Sequence, residues 1–260
     1  MTLHQSPLAT PLAGRFALVT GSTSGIGAAT ALELAARGAR VLVTGRDHER
    51  GRAVVDDITK DGGQASFLPS DLTLPPDALR GFAAAATDAL GGRLDLLVHN
   101  AAICPAVDTT GLSDHDLDTT LAVNVRAPHV LTAALVPAMV ERGSGTVVTI
   151  GSWMAGVGSP IVGLYSATKA AQEQLSRSWA AEFGPRGVRC FTVSPGVTRT
   201  PINEGAGDVL DQIAAGTPAG RTVLPEAVAQ AVAWLASDAA AFIHGATLAV
   251  DGGISTTRLG

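Results

Sequence analysis

Short runs of apolar residues without polar alternation recur along the chain, and a longer segment of helical character separates each run from the next. Strands of this kind are buried on both faces, as in a parallel sheet covered by helices on both sides. Because crossovers between parallel strands are right-handed, the pattern predicts a single-domain α/β fold with a doubly wound sheet. The predicted strands are residues 15–20, 40–44, 65–68, 94–98, 145–150, 188–193 and 247–250, and the predicted helices are residues 26–37, 48–60, 76–90, 114–140, 165–183 and 225–236.

Composition narrows the class of protein. A chain of 260 residues, 46% apolar and 16% charged, can bury a large core without disulfides or metal ions. A net charge of −5 with no Lys/Arg cluster argues against a nucleic-acid partner. Apolar stretches are broken before the ~20 residues that a membrane helix needs, which argues against a membrane partner. Two cysteines, Cys104 and Cys190, indicate a reducing, cytoplasmic location. Residues 1–13 are predicted to be a flexible arm, and residues 14–260 the folded domain.

A glycine-rich segment, Thr-Gly-Ser-Thr-Ser-Gly-Ile-Gly at residues 20–27, joins the first strand to the first helix. Glycine permits a tight turn and a close approach of the backbone to a ligand, and the helix N-terminus favours a pyrophosphate. The spacing of these glycines differs from the G-x-G-x-x-G motif, so the prediction of a nucleotide-binding site rests on their position between a strand and a helix. The predicted nucleotide contacts are Gly21, Ser22, Thr23, Ser24, Gly25, Ile26 and Gly27.

The choice between NADP(H) and NAD(H) is predicted from the end of the second strand, about 20 residues after the glycine-rich segment. There Gly45 leaves room, and the guanidinium of Arg46 can pair with a ribose 2′-phosphate. NADP(H) is therefore favoured over NAD(H). Asp47 argues mildly for NAD, although it also fits as the N-cap of the next helix.

Tyr165 is the only tyrosine in the chain, and Lys169 lies four residues later. On a helix these side chains share a face, and a nearby ammonium favours the phenolate of a tyrosine, whose ordinary pKa is about 10. Ser152 follows a predicted strand on the C-terminal side of the sheet, where its hydroxyl can hold the same substrate oxygen. The set predicts proton exchange with a carbonyl or alcohol oxygen.

Together these motifs resemble the short-chain dehydrogenase/reductase family, in its compact single-domain branch, with similarity to 3-oxoacyl-acyl-carrier-protein reductases. Residues 20–27 look like that family's cofactor turn, and the Tyr-Ser-Ala-Thr-Lys segment at residues 165–169 looks like its catalytic pair. The resemblance covers about residues 14–254. It implies a Rossmann-type sheet of seven parallel strands, a dinucleotide-binding catalytic domain, and a homotetramer or dimer.

The resemblance extends to further site residues. Asn124 is similar to the family's helix asparagine, which helps to hold a proton-relay water beside the lysine. The segment at residues 195–200 resembles the one that meets the nicotinamide, and Asp71 resembles the aspartate that contacts adenine. The catalytic set is thus Asn124, Ser152, Tyr165 and Lys169, and the further cofactor contacts are Asp71, Leu72, Asn100, Ala101, Tyr165, Lys169, Pro195, Gly196, Thr198 and Thr200. Asp251-Gly-Gly at residues 251–253 looks like the family's C-terminal signature.

One departure concerns the segment after the fourth strand, where the family has N-N-A-G and this chain has His99-Asn-Ala-Ala102. Alanine lacks the backbone range of glycine, so the loop beside the cofactor is expected to shift. His99 is interpreted as a packed or hydrogen-bonded residue and not as a catalyst.

The substrate remains open at this stage: a 3-oxoacyl thioester, a ketone, a steroid and a sugar are all compatible. The predicted pocket residues are Ser152, Trp153, Met154, Gly158, Ile161 and Val162, with residues 200–222 as either a substrate lid or a plain surface loop. Few cationic residues besides Arg221 lie there, which disfavours a strongly anionic substrate. A non-catalytic nucleotide-binding regulator, an NAD-dependent alcohol dehydrogenase, and a lyase or isomerase are the alternatives.

Overall fold

Seven parallel strands form one sheet in the computed structural model, which describes residues 11–257. The strand order is β3-β2-β1-β4-β5-β6-β7, so the order reverses direction beside β1, which pairs with both β2 and β4. The strands are β1 Phe16–Val19, β2 Arg40–Gly45, β3 Gln64–Pro69, β4 Leu96–His99, β5 Gly145–Ile150, β6 Val188–Pro195 and β7 Thr247–Val250. The predicted doubly wound sheet of seven strands is confirmed.

Helices cover both faces of this sheet: α1 Gly25–Ala36, α2 His48–Lys60, α3 Pro76–Ala89, α4 Asp114–Leu121, α5 Ala127–Arg142, α6 Gly163–Phe183, α7 Gly207–Ala215 and α8 Pro225–Ala236. Successive residues of each strand point to opposite layers. Val41 and Val43 therefore pack in the core layer that contains α1 and α8, whereas Leu42 packs in the layer that contains α3 and α5. Beyond exposed Arg40, β2 is buried on both faces, which explains its continuous apolar run.

The predicted long helix at residues 114–140 is interrupted. Ala122–Arg126 forms a π-helical turn between α4 and α5, in which the N–H of Ala127 bonds to the carbonyl of Ala122. Turns of this kind are rare and occur frequently at functional sites. The run Asp114–Arg142 is long and apolar enough to cross a membrane, but 56% of its most apolar window is buried inside the fold, as in the core helix of a soluble protein.

Residues 200–222 are not a plain surface loop. They contain a 3₁₀ turn, Pro201–Ala206, and the helix α7. Thr200 begins this segment with a capping box, because its side chain and that of Asn203 bond reciprocally to the backbone. Val209 and Ile213 lie one helical turn apart, a spacing that indicates a helix. The many Gly and Ala residues around them hid this signal in the sequence.

The N-terminal arm predicted over residues 1–13 lies outside the described residues except for its last three. Among these, Leu12 departs from the prediction, because it is 1% exposed and packs in the core layer of α1. Its N–H also bonds to the carbonyl of Arg37 at the end of α1. Leu12 is therefore anchored to the core and to the end of α1.

Candidate active site

The glycine turn lies at the carboxyl end of β1, at the point where the strand order reverses, which is where open α/β sheets bind their ligands. Gly21 and Gly25 have φ of +63° and +54°, a region that other residues rarely adopt. A Cβ on Gly21 would lie 2.8 Å from Ala101 Cα, and one on Gly27 would lie 2.3 Å from the Gly21 carbonyl oxygen. The turn therefore requires glycine for both its conformation and its packing.

Two features make this turn fit a dinucleotide pyrophosphate. The amide of Asn100 donates hydrogen bonds of 2.9 Å to the carbonyls of both Thr20 and Gly21, which fixes the turn against β4. Helix α1 begins at Gly25, and within the described residues no side chain caps it. Its first N–H groups and positive dipole end are thus available to an anion.

Ser22 departs from its predicted role. Its side chain is fully buried. The hydroxyl donates a hydrogen bond of 2.7 Å to the Val19 carbonyl and accepts one of 2.9 Å from the Thr44 N–H. Ser22 therefore ties β1 to β2 beneath the turn, facing away from the cavity. Thr23 does face the cavity and packs over Gly45, where a Cβ would lie only 2.7 Å from Thr23 Cγ2.

A continuous cavity of about 1130 Å³ runs from the end of β2, across the glycine turn, to α6 and α7. It brings together every predicted site residue except Ser22 and Asn124. The predicted residues that line it are Gly21, Thr23, Ser24, Gly25, Ile26, Gly27, Arg46, Asp71, Leu72, Asn100, Ala101, Ser152, Tyr165, Lys169, Pro195, Gly196, Thr198 and Thr200.

The end of the cavity at β2 carries two guanidinium groups. Arg46 lines it, as does Arg50, which was not predicted from the sequence because it lies in the first turn of α2 and not at the strand end. Asp47 caps α2 by accepting from the Arg50 N–H at 3.0 Å, and it also pairs with Arg50 Nε at 2.7 Å. These bonds lower the pKa of Asp47, the backbone bond most. Asp47 is thus the helix cap, and its charge is already paired.

Asp71 lines the same end, and its carboxylate accepts 2.9 Å from the Thr73 N–H and 2.7 Å from the Thr73 hydroxyl. These bonds, with a smaller contribution from the charge of Arg46, lower the pKa of Asp71. The loop after β3 is therefore fixed by its own aspartate beside the cavity.

Tyr165 and Lys169 lie one turn apart near the start of α6, with the Lys169 Nζ 5.7 Å from the centre of the Tyr165 ring. Lys169 is 2% exposed, and its ammonium donates 2.7 Å to the Ile150 carbonyl at the end of β5. Ser152 lies two residues beyond β5, and its hydroxyl accepts 3.2 Å from the Met154 N–H. All three side chains line the cavity.

Burial controls the titration of this pair. Burial raises the pKa of Tyr165 to about 12, the neighbouring Cys104 adds to the rise, and a hydrogen bond with Ser152 opposes it. Burial likewise lowers the pKa of Lys169 to about 8, although Cys104 and Glu173 oppose that shift. The expectation that Lys169 favours phenolate is thus outweighed by burial of the phenol, which stabilises the protonated form.

Asn124 lies in the π-helical turn and is fully buried behind Lys169, outside the cavity lining. Its side chain accepts 3.0 Å from the Ile103 N–H and donates 2.9 Å to the Ile103 carbonyl. It also donates 3.0 Å to the Thr168 hydroxyl on α6. Asn124 therefore holds the segment after β4 against α6.

The two departures from the family pattern, His99 at the end of β4 and Ala102 in the segment after it, are accommodated. Ala102 lines the cavity, and it has negative φ like every described non-glycine residue, so its side chain causes no backbone strain. His99 is 2% exposed, hydrogen-bonds at 2.8 Å to the Thr132 hydroxyl and packs 5.8 Å from the Trp179 ring. Burial lowers the pKa of His99 to about 3, which keeps it neutral. His99 is a packed, hydrogen-bonded residue, as the sequence analysis interpreted it.

The segment after β6 closes over the cavity opposite the glycine turn. A Cβ on Gly25 would lie 3.2 Å from Thr200, and one on Gly196 would lie 2.6 Å from Asp251 Cα. The Asp-Gly-Gly segment that follows β7 therefore supports Gly196 from behind. Thr198 donates 3.1 Å to the Gly196 carbonyl and is 6% exposed.

The end of the cavity beyond Tyr165 is apolar. Its walls come from the segment after β5 and from the 3₁₀ turn and α7, which confirms that this region forms part of the cavity. The apolar side chains are Trp153, Met154, Val157, Ile161, Val162, Ile202, Val209, Leu210 and Ile213. The charged residues that line the cavity, Arg46, Asp47, Arg50, Asp71 and Lys169, all lie toward the glycine turn or the catalytic pair.

This combination defines a class: a dinucleotide-binding α/β protein of Rossmann type with a Tyr-Lys pair at the ligand-binding edge of the sheet. A family model described as Enoyl-(Acyl carrier protein) reductase matches residues 21–255. The chain belongs to the short-chain dehydrogenase/reductase family and is an oxidoreductase of alcohol or carbonyl groups.

Known relatives match nearly the whole chain. It is 38% identical over 248 residues to D-threitol dehydrogenase of Mycolicibacterium smegmatis, which covers 93% of each chain. It is 39% identical over 248 residues to cis-4-hydroxycyclohexanecarboxylate dehydrogenase of Sinomonas cyclohexanicum, covering 93% of this chain and 96% of the relative. A 3-oxoacyl (acyl-carrier-protein) reductase of Agrobacterium tumefaciens, solved with NADP bound, is 34% identical with a TM-score of 0.88 and covers 97% of this chain and 100% of that one.

Proposed function

We propose that this protein is an NADP(H)-dependent dehydrogenase/reductase that acts on a neutral, largely apolar ketone or secondary alcohol. The observation that carries the proposal is the single cavity that joins the glycine turn to Tyr165, Lys169 and Ser152. The residues of the turn would therefore hold a dinucleotide in the same cavity as the catalytic pair, where its nicotinamide would supply hydride transfer.

The mechanism assigns one role to each catalytic side chain. When bound, the nicotinamide supplies hydride transfer to or from the substrate carbon. In the reducing direction Tyr165 donates its proton to the substrate oxygen, and the neutral phenol that burial favours is the form needed for that step. Ser152 orients and polarises the same oxygen. Lys169 supplies a fixed positive charge beside the ring and holds the nicotinamide ribose, and Asn124 keeps α6 in place behind it.

The preference for NADP(H) rests on Arg46 and Arg50. Both guanidinium groups line the end of the cavity at β2, and the one acidic residue at that strand end, Asp47, is paired with Arg50. A 2′-phosphate there would gain charge-assisted hydrogen bonds, each worth about 1.5–3 kcal/mol. The NADP bound to the A. tumefaciens relative agrees with this preference.

Calorimetric titration of alanine variants tests the cofactor preference. Arg46→Ala is expected to weaken NADPH binding about 10–100-fold, because the lost bond is worth about 1.5–3 kcal/mol, and to leave NADH binding unchanged. Arg50→Ala is expected to act in the same direction. Arg52→Ala is the matched control, since Arg52 is exposed on α2 and outside the cavity lining. Equal binding of NADPH and NADH by the wild type would refute the assignment.

The substrate class rests on the apolar end of the cavity. Its walls carry Trp153, Met154 and Ile213, with no charged side chain from the described residues apart from the catalytic lysine. Desolvating an anion or a polyol there leaves its polar groups unpaired, which costs about 1–3 kcal/mol for each group. We therefore favour alicyclic ketones and alcohols over sugars or acidic thioesters.

Turnover by a substrate panel tests the proposed activity. Cyclohexanone and cyclopentanone are expected to be reduced faster than a ketose or a 3-oxoacyl thioester, with consumption of NADPH followed by absorbance. Tyr165→Phe is expected to lose about 10²–10⁴-fold in kcat, because the proton donor is gone, and to bind NADPH normally. Wild-type turnover by that variant would contradict the role of Tyr165 as proton donor. A protein that binds NADPH but reduces nothing would instead be the non-catalytic regulator.

We also propose a cytoplasmic homo-oligomer. Cys104 and Cys190 are both free, as expected in a reducing compartment. Phe242 is fully exposed, and Leu224 and Trp234 are 60% and 44% exposed, so the C-terminal part of the chain presents apolar surface of the kind that interfaces cover. Light scattering that gives the mass of a single chain would contradict the oligomer.

A further inference from the structure

Exposed apolar side chains are concentrated where the cavity opens to solvent. Nine large apolar side chains of the described residues are exposed, and four of them also line the cavity. These four form the apolar rim: Ile161, Ile202, Val209 and Ile213, which are between 39% and 56% exposed. Apolar residues scattered singly over a surface need no explanation, whereas a group of them along one cavity indicates a binding surface.

The residue pattern of α7 places half of this rim in the cavity wall. Val209 and Ile213 lie one helical turn apart and therefore share a face. Ala214, the next residue, is buried in the fold. The charged residues of α7, Asp208 and Asp211, are exposed and do not line the cavity. The helix is thus amphipathic, but part of its apolar face remains in water instead of packing in the core.

The rim belongs to the same cavity as the catalytic groups. Tyr165 and Ser152 line that cavity, and the walls beyond Tyr165 also carry Trp153 and Met154. No charged side chain of the described residues lies among these apolar walls. A substrate whose oxygen is held by Tyr165 and Ser152 can therefore extend over apolar surface as far as the rim.

Four side chains are too few to hold a protein partner. A stable protein interface buries about 800 Å² and involves about 20–30 residues on each side. Small molecules, in contrast, bind in concave and mostly apolar sites that contain a few polar groups. The rim therefore fits the apolar part of a substrate better than it fits another chain.

We propose that the apolar rim binds an alkyl substituent of the substrate, so that the protein prefers an alicyclic ketone or alcohol with a chain of several carbons to the unsubstituted ring. This inference rests on the proposed function and narrows its substrate class. The oxygen on the ring is held by Tyr165 and Ser152, and the chain covers Val209, Ile213 and their neighbours in the rim. Contact between them removes apolar surface of both protein and substrate from water, and this burial produces the preference.

A series of 4-alkylcyclohexanones tests the preference. The value of kcat/KM with NADPH is measured for cyclohexanone and for its 4-methyl, 4-propyl and 4-pentyl derivatives. Full burial of one CH₂ group strengthens binding about fourfold, so partial burial of the chain predicts a gain of about 10–100-fold from the methyl to the pentyl derivative. The gain is expected in KM, because the reacting groups are unchanged. A kcat/KM that stays flat or falls along the series would overturn the proposal.

Matched glutamine variants test whether the rim causes the preference. Ile213→Gln adds a polar group to the rim, whereas Leu121→Gln adds one to α4, outside the cavity lining. The two residues are matched, because both are helical and are 39% and 42% exposed. Ile213→Gln is expected to lower the ratio of kcat/KM for the 4-pentyl ketone to that for cyclohexanone about 3–10-fold, and Leu121→Gln is expected to keep the wild-type ratio. Equal losses for both ketones in Ile213→Gln would indicate a structural role alone and would overturn the proposal.

Binding without turnover is measured by calorimetry in the presence of NADPH, because a reduced cofactor cannot oxidise an alcohol. We expect 4-pentylcyclohexanol to bind about 10–100-fold more tightly than 4-methylcyclohexanol, with a more negative heat-capacity change from the added apolar burial. Equal affinities would contradict the proposal. Light scattering addresses the alternative that a second copy of the chain covers the rim: a smaller assembly in Ile213→Gln than in the wild type would also overturn the proposal.

Failure of this inference is distinguishable from failure of the proposed function. A wild-type protein that reduces none of the ketones defeats the proposed function, and the calorimetric comparison then still decides whether the rim binds an alkyl chain. An active enzyme that shows no preference for the longer chains, in turnover and in binding, defeats only the role of the rim.

Discussion

Substitution of Gly27 by alanine tests whether close packing or helix propensity has the larger effect on stability within the glycine turn. A Cβ there would lie 2.3 Å from the Gly21 carbonyl oxygen and 2.4 Å from the Asn100 amide nitrogen, so these groups must separate by about 1 Å to reach ordinary contact. Overpacking of this kind costs about 1–3 kcal/mol, which outweighs the gain of up to about 1 kcal/mol from replacing a helical glycine. We expect a net loss of about 1–2 kcal/mol in unfolding free energy.

The same displacement moves the N–H groups that face the pyrophosphate. Loss of one such charge-assisted bond, about 1.5–3 kcal/mol, weakens NADPH binding about 10–100-fold. Urea unfolding and calorimetry on one preparation measure both effects. Gly81→Ala is the matched control: Gly81 is helical and exposed, and a Cβ there meets nothing within 4 Å. It should gain up to about 1 kcal/mol and bind NADPH as the wild type does. Wild-type NADPH affinity in Gly27→Ala would refute the reasoning.

Two further predictions concern buried polar groups. Burial gives His99 a pKa of about 3 in the folded protein, against an ordinary value of 6.5. Below pH 6.5 the unfolded chain therefore binds a proton that the folded chain does not, and the free energy of unfolding decreases as the pH is lowered. Between pH 7 and 5 the wild type should lose about 2 kcal/mol more than His99→Gln in urea unfolding, and equal losses would contradict the burial of a neutral imidazole. Asp95 accepts from the Phe16 N–H at 3.0 Å and pairs with Arg93 and Arg142. Asp95→Asn should cost on the order of 2 kcal/mol with NADPH affinity unchanged, whereas an unchanged unfolding midpoint would show that these bonds add no stability.

The sheet could be predicted from the sequence because its central strands are buried on both faces. Val41, Leu42 and Val43 illustrate this: alternate residues enter different core layers, so every position is apolar and the run stands out. The glycine turn and the Tyr165–Lys169 pair were predicted for a similar reason, since backbone conformation and helical spacing tie them to fixed residue types.

Other features depend on three-dimensional packing that a linear pattern does not contain. Ser22 lies within the predicted turn, but its hydroxyl bonds to β1 and β2 and not to the cavity. Arg50 reaches the cavity only because α2 begins at the end of β2. The sequence signal for α7 was present in the spacing of Val209 and Ile213 but was masked by glycine and alanine. The π-helical turn that contains Asn124 has no signature in residue spacing.

The central claim is that this cavity carries out hydride transfer to a substrate carbon with Tyr165 as the proton donor, and transfer of an isotope label tests it most directly. Cyclohexanone would be incubated with NADPH carrying deuterium at the transferable position, and the alcohol product analysed by mass spectrometry. The account predicts one deuterium on the carbinol carbon with the wild type, and product formation reduced about 10²–10⁴-fold with Tyr165→Phe. Alcohol formed without deuterium, or labelled product formed equally fast by the variant, would contradict it.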